Sequence, residues 1–434
     1  MRVLIIKIFI KICIDIENRF VEFYKEKISF TSIKYLIPIL GCIIGMILLC
    51  INSKSNTEII FSVLGGLLFA KALGLFGEVM YFIFEDNRKI NQYKKLYENS
   101  YKKSLWFGKN KVIFYYEPIF TNQNGNDYSI ILNDFPKKHF QPDPLILTNY
   151  SNLLYAHRND VVINYNCIRL DNCEINLLNR EIILSTSRAK CFDHLVTNFA
   201  MDFRLEKGIT IRSIYEYKEH LIPLKDSKMA NVIGVNALVF LNDGTLLMPL
   251  RGTGATISKH MVTSSIAQGC FWEENSRKIT KNELIYDFIK HGIKERLFLL
   301  ESVLNSSDIQ VDFLGFGRVA AWGGKPQLYY IVKIDLNAKE YMEKSLIFEK
   351  KEDDIDKDRE ILLVKTFEIV NNTSFLKMSC INKKYLLRYG KVKIYSKICE
   401  AECSFFCNCY HFYKYYERDT TINNWLLYKI MGVR

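Results

Sequence analysis

Residues 231–251 read NVIGVNALVFLNDGTLLMPLR. Two runs of β-branched and long aliphatic residues flank Asn-Asp-Gly, a combination that favours the left-handed backbone of a tight hairpin turn. Working outward, HMVTSSIAQG (260–269) continues as a third strand that ends in a glycine. A charged connection, EENSRKITKN, leads into ELIYDFIKHGIKERLFLLESVL (283–304), whose apolar residues recur at helical spacing. Two further strands, DIQVDFLGFGRVAAW (308–322) and QLYYIVKIDL (327–336), are joined through GGKP. Three strands, a glycine, a helix and a closing hairpin make an α/β pattern over 231–340.

That order of elements resembles the Nudix fold. The family's motif is G-x5-E-x7-R-E-U-x-E-E-x-G-U, in which helix glutamates hold divalent cations against a diphosphate. Gly269 stands for the first glycine and Glu283 for the first glutamate, but thirteen residues separate them where the motif has five. An insertion is required. Counting on from Glu283, the arginine position holds His291, the next glutamate is Gly292, the aliphatic position is Ile293, and the final pair is Glu295 and Arg296. Most of the metal-binding carboxylates are gone, and with them the seat for Mg²⁺ and for a metal-activated water. We therefore expect no catalytic residues, no metal site and no cofactor.

A guanidinium in a carboxylate's place forms charge-assisted bonds to phosphate without activating water. Arg296 is thus either a phosphate contact or a solvated helix residue. Arg251 at the end of the second strand, with Lys259 and His260 before the third, adds positive charge toward the same region. Trp322, at the glycine-rich turn, either stacks on a base or covers its own hairpin. The expected ligand-binding set is Arg251, Lys259, His260, Glu295, Arg296 and Trp322.

Upstream, residues 86–230 read as a stalk and β-rich connecting region. Residues 87–111 are polar and helix-prone. KVIFYYEPIF, YSIILND, PLILTNY, VVINYNCIRL and EIILSTS are short strand-like runs between Asn, Asp, Pro and Gly. CFDHLVTNFAMDFRL (191–205) reads as one helix with Leu195, Phe199 and Phe203 on one face. Its Asp193 and His194 are read as a capping carboxylate and a surface histidine, because no nucleophile nearby has a reason to be activated.

Residues 341–434 read as a C-terminal extension. There CEAECSFFCNCYH places Cys399, Cys403 and Cys407 four apart, followed by Cys409 and His411. Zinc sites commonly use close CxxC-type pairs, whereas this spacing lines thiols along one helix face, so buried structural cysteines are expected. The twelve cysteines form no paired framework, and free thiols are expected.

The N-terminus has another character. Residues 1–32 alternate Lys7, Lys11, Asp15, Asn18, Glu22 and Glu26 with Ile, Phe and Leu, as an interfacial amphipathic helix does; a helix packed on the soluble part is the alternative. Residues 33–85 contain two apolar runs, 35–51 and 59–84, divided by NSKSNTE, and predict a transmembrane hairpin. Basic residues on both flanks, against Lys54 alone in the loop, put both termini in the cytoplasm. Within the second run, Gly66, Ala70 and Gly74 form a small-residue stripe beside Lys71 and Glu78. The five are the expected membrane-assembly residues, with the two charges either in a wet oligomeric interface or snorkelling. The net charge of +12 fits anionic headgroups or a phosphate-bearing ligand, and no DNA partner is expected.

The expected fold class is therefore a membrane-anchored α/β protein: a two-helix transmembrane hairpin, a β-rich connecting region and a degenerate Nudix-like α/β sandwich. This arrangement resembles the two-transmembrane effectors with a SMODS-associated Nudix domain found in bacterial cyclic-oligonucleotide antiphage signalling (CBASS). The resemblance implies an inner-membrane protein that binds a cyclic oligonucleotide without hydrolysing it. It also implies that a homo-oligomer then disrupts the lipid bilayer. Two other functions stay open on the residues alone: a membrane-tethered Nudix hydrolase using Glu283 and Glu295, and a non-enzymatic membrane scaffold.

Overall fold

Strands dominate because β-branched and aromatic residues alternate through most of the chain after residue 100. In the computed structural model the described residues are 96–107, 110–123, 127–155, 164–203, 205, 209–252, 261–272, 283–299, 309–345, 360–365, 379–380, 389–394 and 397–416.

In chain order the strands are β1 (Lys102–Phe107), β2 (Asn110–Thr121), β3 (Ser129–His139), β4 (Asn166–Asn176), β5 (Glu181–Lys190), β6 (Gly234–Leu241), β7 (Thr245–Leu250) and β8 (Met261–Val262). They continue as β9 (Ile266–Gly269), β10 (Phe271–Trp272), β11 (Ile309–Val319), β12 (Lys325–Ile334), β13 (Glu360–Lys365), β14 (Ser379–Cys380), β15 (Tyr389–Ile394) and β16 (Lys397–Glu402). Four helices matter below: α1 (Cys191–Val196), α2 (Glu283–Leu297), α3 (Ala338–Ser345) and α4 (Cys403–Tyr416).

The strands make a twelve-stranded sheet, in the order β1-β2-β11-β12-β6-β7-β8-β16-β15-β14 with β9 on β6 and β13 on β7, and a four-stranded sheet, β10-β4-β5-β3. This corrects the expected fold class. The described protein is β-rich and built on two sheets, because segments on both sides of 231–340 donate strands to the sheet that runs through it. No helix among the described residues is long and apolar enough to cross a membrane. The expected hairpin over 33–85 and the interfacial helix over 1–32 lie outside the described residues.

Central strands β6 and β12 run parallel, with Gln327 opposite Gly234 and Ile334 opposite Leu241. Both of their faces are covered. Val235, Ala237, Val239, Leu328, Tyr330 and Val332 share one core with Phe288, Ile289, Ile293 and Leu297 of α2. Leu238, Phe240, Tyr329 and Ile331 share the other with Phe405, Phe406 and Phe412 of α4. Period-two alternation thus serves two cores, which is why these strands read as continuous apolar runs. On the α4 face the strands turn polar toward one end, where Asn236, Gln327 and Lys325 follow the same parity. Gly234 makes room there: a Cβ on it would fall 1.8 Å from the Gln327 Oε1, and that oxygen instead accepts from Asn236 Nδ2 at 2.7 Å.

Several local expectations are also corrected. Residues 102–107, expected in the stalk, pair with β2. PLILTNY contains a short helix, Pro144–Thr148, because Asp143 caps it from Oδ1 to the Leu145 N–H at 3.2 Å and Pro144 occupies its first turn. The third strand is two, β8 and β9, since Ser265 between them bonds sideways: its Oγ donates to Leu247 O at 2.5 Å and accepts from Val239 N at 2.8 Å. The helix expected over 191–205 stops at Val196 and resumes as a single 3-10 turn, Asn198–Ala200. Thr197 and Asn198 interrupt it by spending their side chains on backbone partners, with Thr197 Oγ1 donating to Asp193 O at 2.6 Å.

Candidate functional site

The polar end of the α4 face lies beside the β11–β12 hairpin. Its tip is the 3-10 turn Ala320–Trp322 followed by Gly323 and Gly324, at φ of 57° and 80°. Side-chain donors hold all three carbonyls of that turn. Arg212 donates from Nη1 to Ala320 O at 2.8 Å and from Nη2 to Ala321 O at 2.5 Å. Asn198 Nδ2 donates to Trp322 O at 2.9 Å. Arg212 is itself oriented by Asp202 through Nε at 2.8 Å and Nη2 at 3.3 Å. A rigid tip of this kind fixes the first residue of β12, which is Lys325.

The Lys325 ammonium stands 5.3 Å from the centroid of the Trp322 ring and 5.6 Å from that of Phe199. Only 6 % of the residue is exposed. Among the described residues no carboxylate lies within ion-pair distance of it. Burial pushes its pKa down to about 8, opposed by the charge of Glu402 and aided by that of Arg251. Near neutral pH it is a desolvated cation held against two aromatic faces.

His194 supplies an acceptor to the same neighbourhood. Asn198 Oδ1 accepts from Asn231 N at 2.9 Å, and Asn198 Nδ2 also donates to Asn231 Oδ1 at 3.2 Å. The amide is therefore fixed in orientation, and the His194 Nδ1 3.2 Å from its oxygen carries the proton. Nε2 is left as a buried lone pair with no hydrogen-bond partner among the described residues, as is the Asn231 Nδ2 donor. Burial, and next the Lys325 charge, hold the imidazole well below its ordinary pKa, so it is neutral. The ring also packs edge-on against Phe199 at 4.5 Å, which itself meets Trp322 at 5.2 Å.

The residues named from sequence scatter. Trp322 is buried at the hairpin tip, and Arg251 lies near enough for its charge to act on Lys325; Arg251 Nη2 donates to Ala267 O at 2.8 Å. Lys325 joins those two. Glu295 sits half-exposed on α2 beside Lys294, 3.9 Å away. Arg296, also on α2, acts on the Tyr165 hydroxyl. Lys259 and His260 lie outside the described residues, as do Gly66, Ala70, Lys71, Gly74 and Glu78.

His194 corrects an expectation, for it is buried and not at the surface. Asp193 caps its helix, accepting from Lys190 N at 2.9 Å. Sequence reasoning missed Lys325 and Phe199. The lysine stood within GGKP, where a cation between a glycine turn and an apolar strand was the available signal; nothing local marked the phenylalanine.

The helix position compared above with a Nudix glutamate is closed by packing. A Cβ on buried Gly292 would fall 2.4 Å from Ile266 Cγ2, so no carboxylate fits there without moving β9. Among the described residues no group of three or more His, Cys, Asp or Glu is placed to hold a metal ion. Cys403, Cys407 and Cys409 belong to the α4 core. The arrangement around Lys325 is suited to holding an anion, with donor and acceptor groups at hand and, among the described residues, no nucleophile paired to a base. Compared with known protein families and with curated proteins, the chain matches none.

Proposed function

We propose that the unit Leu96–Arg434 is a receptor that binds a cyclic oligonucleotide second messenger without hydrolysing it, with Lys325 and Arg251 facing its phosphodiester charge. The observation that carries this reading is the buried Lys325 ammonium, which has aromatic faces but no carboxylate at ion-pair distance among the described residues. A buried cation with no carboxylate at ion-pair distance is costly, and an anionic ligand supplies what it lacks. The choice of a cyclic oligonucleotide rests on the sequence resemblance to effectors of antiphage signalling. In that setting the protein receives a signal made during infection and responds by self-association.

The test is binding of cyclic di- and trinucleotides to the full-length protein by calorimetry. Loss of a charged hydrogen bond, roughly 1.5–3 kcal/mol, predicts that Lys325→Met weakens binding about 10- to 100-fold. No phosphate-bond cleavage is expected with Mg²⁺ or Mn²⁺. Binding unchanged in both Lys325→Met and Arg251→Glu would refute the site, and metal-dependent turnover lost on Glu295→Gln would establish a hydrolase instead.

A further inference from the structure

Two thiols lie against each other, one of them, Cys167, near enough to Lys325 for their charges to interact. Cys167 is the second residue of β4, and Cys191 opens α1 directly after β5. The two strands are antiparallel, with Asn166 opposite Lys190 and Cys167 opposite Ala189. One step further, the Cys191 N–H donates to Tyr165 O at 3.0 Å. Cys191 therefore stands across from Tyr165, two residues from Cys167 and on the strand face that Cys167 shares. Cys191 packs on the small cluster that Cys167 makes with Ala189, Ala230 and Val232.

The two thiols have different environments. Cys167 is 3 % exposed, whereas Cys191 is only partly buried and neighbours Tyr165, which is 44 % exposed. Interaction with the Cys167 thiol, and next with the Tyr165 hydroxyl, holds the Cys191 thiol below its usual range against the effect of burial, while the same interaction and burial push Cys167 up. A reachable, readily ionised thiol with a second thiol buried behind it is the arrangement of an attacking and a resolving cysteine. Cys407 and Cys409, by contrast, lie in the apolar α4 core with their thiols raised by burial.

We propose that Cys167 and Cys191 form a site of reversible oxidation that a hydroperoxide closes to a disulfide. The Cys191 thiolate attacks a peroxide oxygen and the O–O bond breaks. The departing oxygen takes a proton and leaves as water or alcohol, so the peroxide is reduced by two electrons and Cys191 becomes a sulfenic acid. The Cys167 sulfur then gives up its proton and attacks the Cys191 sulfur; the S–O bond breaks, and the hydroxide leaves with that proton as water. The new bond ties the start of β4 to α1, the helix that carries His194.

Full-length protein treated with substoichiometric hydrogen peroxide, alkylated and mapped without reduction should yield Cys167–Cys191 as the first linked peptide pair, and dithiothreitol should release it. In Cys167→Ala, dimedone should instead label Cys191. A map in which Cys191 is a sulfinic acid or a free thiol, unlinked to Cys167, overturns the proposal, as does a folded Cys167→Ala variant without the dimedone adduct. Should that variant not fold, the wild-type map decides alone.

Discussion

Gly292→Ala isolates what α2 gives up to lie on the sheet. In a helix interior, glycine to alanine ordinarily gains about 1 kcal/mol, because the backbone loses less entropy on folding. Here the new methyl would meet Ile266 Cγ2 at 2.4 Å, with Cγ1 and Cδ1 at 3.2 and 3.3 Å. The nearest atom is a methyl on the β-carbon of a fully buried residue, and the stiff χ1 of a β-branched side chain packed on all sides resists turning it aside. Overpacking of this kind costs roughly 1–3 kcal/mol, and the net result should be destabilisation of about 0–2 kcal/mol. The sign is to be decided by a double-mutant cycle in urea denaturation. Ile266→Ala alone should cost roughly 2–5 kcal/mol. In that background Gly292→Ala should become stabilising, giving a coupling of about 1–3 kcal/mol between the two sites. Gly292→Glu, the residue of the Nudix motif, should cost more than Gly292→Ala because a carboxylate is desolvated as well, and it should restore no hydrolysis. A Gly292→Ala variant that gains about 1 kcal/mol whether or not Ile266 is truncated would refute the close approach.

Arg212→Met should destabilise by roughly 3–5 kcal/mol, since it takes the guanidinium from Asp202 and from the buried Ala321 carbonyl and leaves Ala320 O with the Gly323 N–H; denaturation with a loss under about 1 kcal/mol would show that the turn does not depend on it. The pH dependence tests Lys325 directly. Its pKa is lowered from the ordinary 10.5 to about 8, so between these values the unfolded chain binds the proton that the folded protein has released. The Lys325 contribution to stability should therefore rise from about pH 8 to pH 10.5, by up to roughly 3 kcal/mol, against the opposite slope of buried thiols such as Cys173 and Cys270, whose pKa burial raises. The difference between wild type and Lys325→Met isolates that rise, and equal pH profiles for the two proteins would place the ammonium in solvent.

Much of the strand pattern was legible locally. KVIFYYEPIF, EIILSTS and the two runs around Asn-Asp-Gly lie in β2, β5, β6 and β7, because β-branched and aromatic alternation belongs to the residues themselves. Capping was legible too, though it was not read at Asp143-Pro144, where a side-chain acceptor and a preset φ turn an apolar run into a helix. The break after Val196 was less visible. Thr197 and Asn198 leave the helix for partners at Ala230, Asn231 and Trp322, far away in the chain.

Local pattern marks most of the strands, the hairpin at 242–244 and the helix that begins at Glu283, though not β1 or the helix Pro144–Thr148. Contacts between distant segments set the rest: one sheet runs from β1 to β14, the space over Gly292 is filled by Ile266, and Lys325 is a buried cation beside Phe199 and Trp322. The reason is physical. Propensity, periodicity and capping act over a few residues, whereas sheet order, close approach and desolvation depend on which distant segment arrives alongside. A lysine is written the same way whether water or two aromatic rings surround it, and its chemistry is set by that difference.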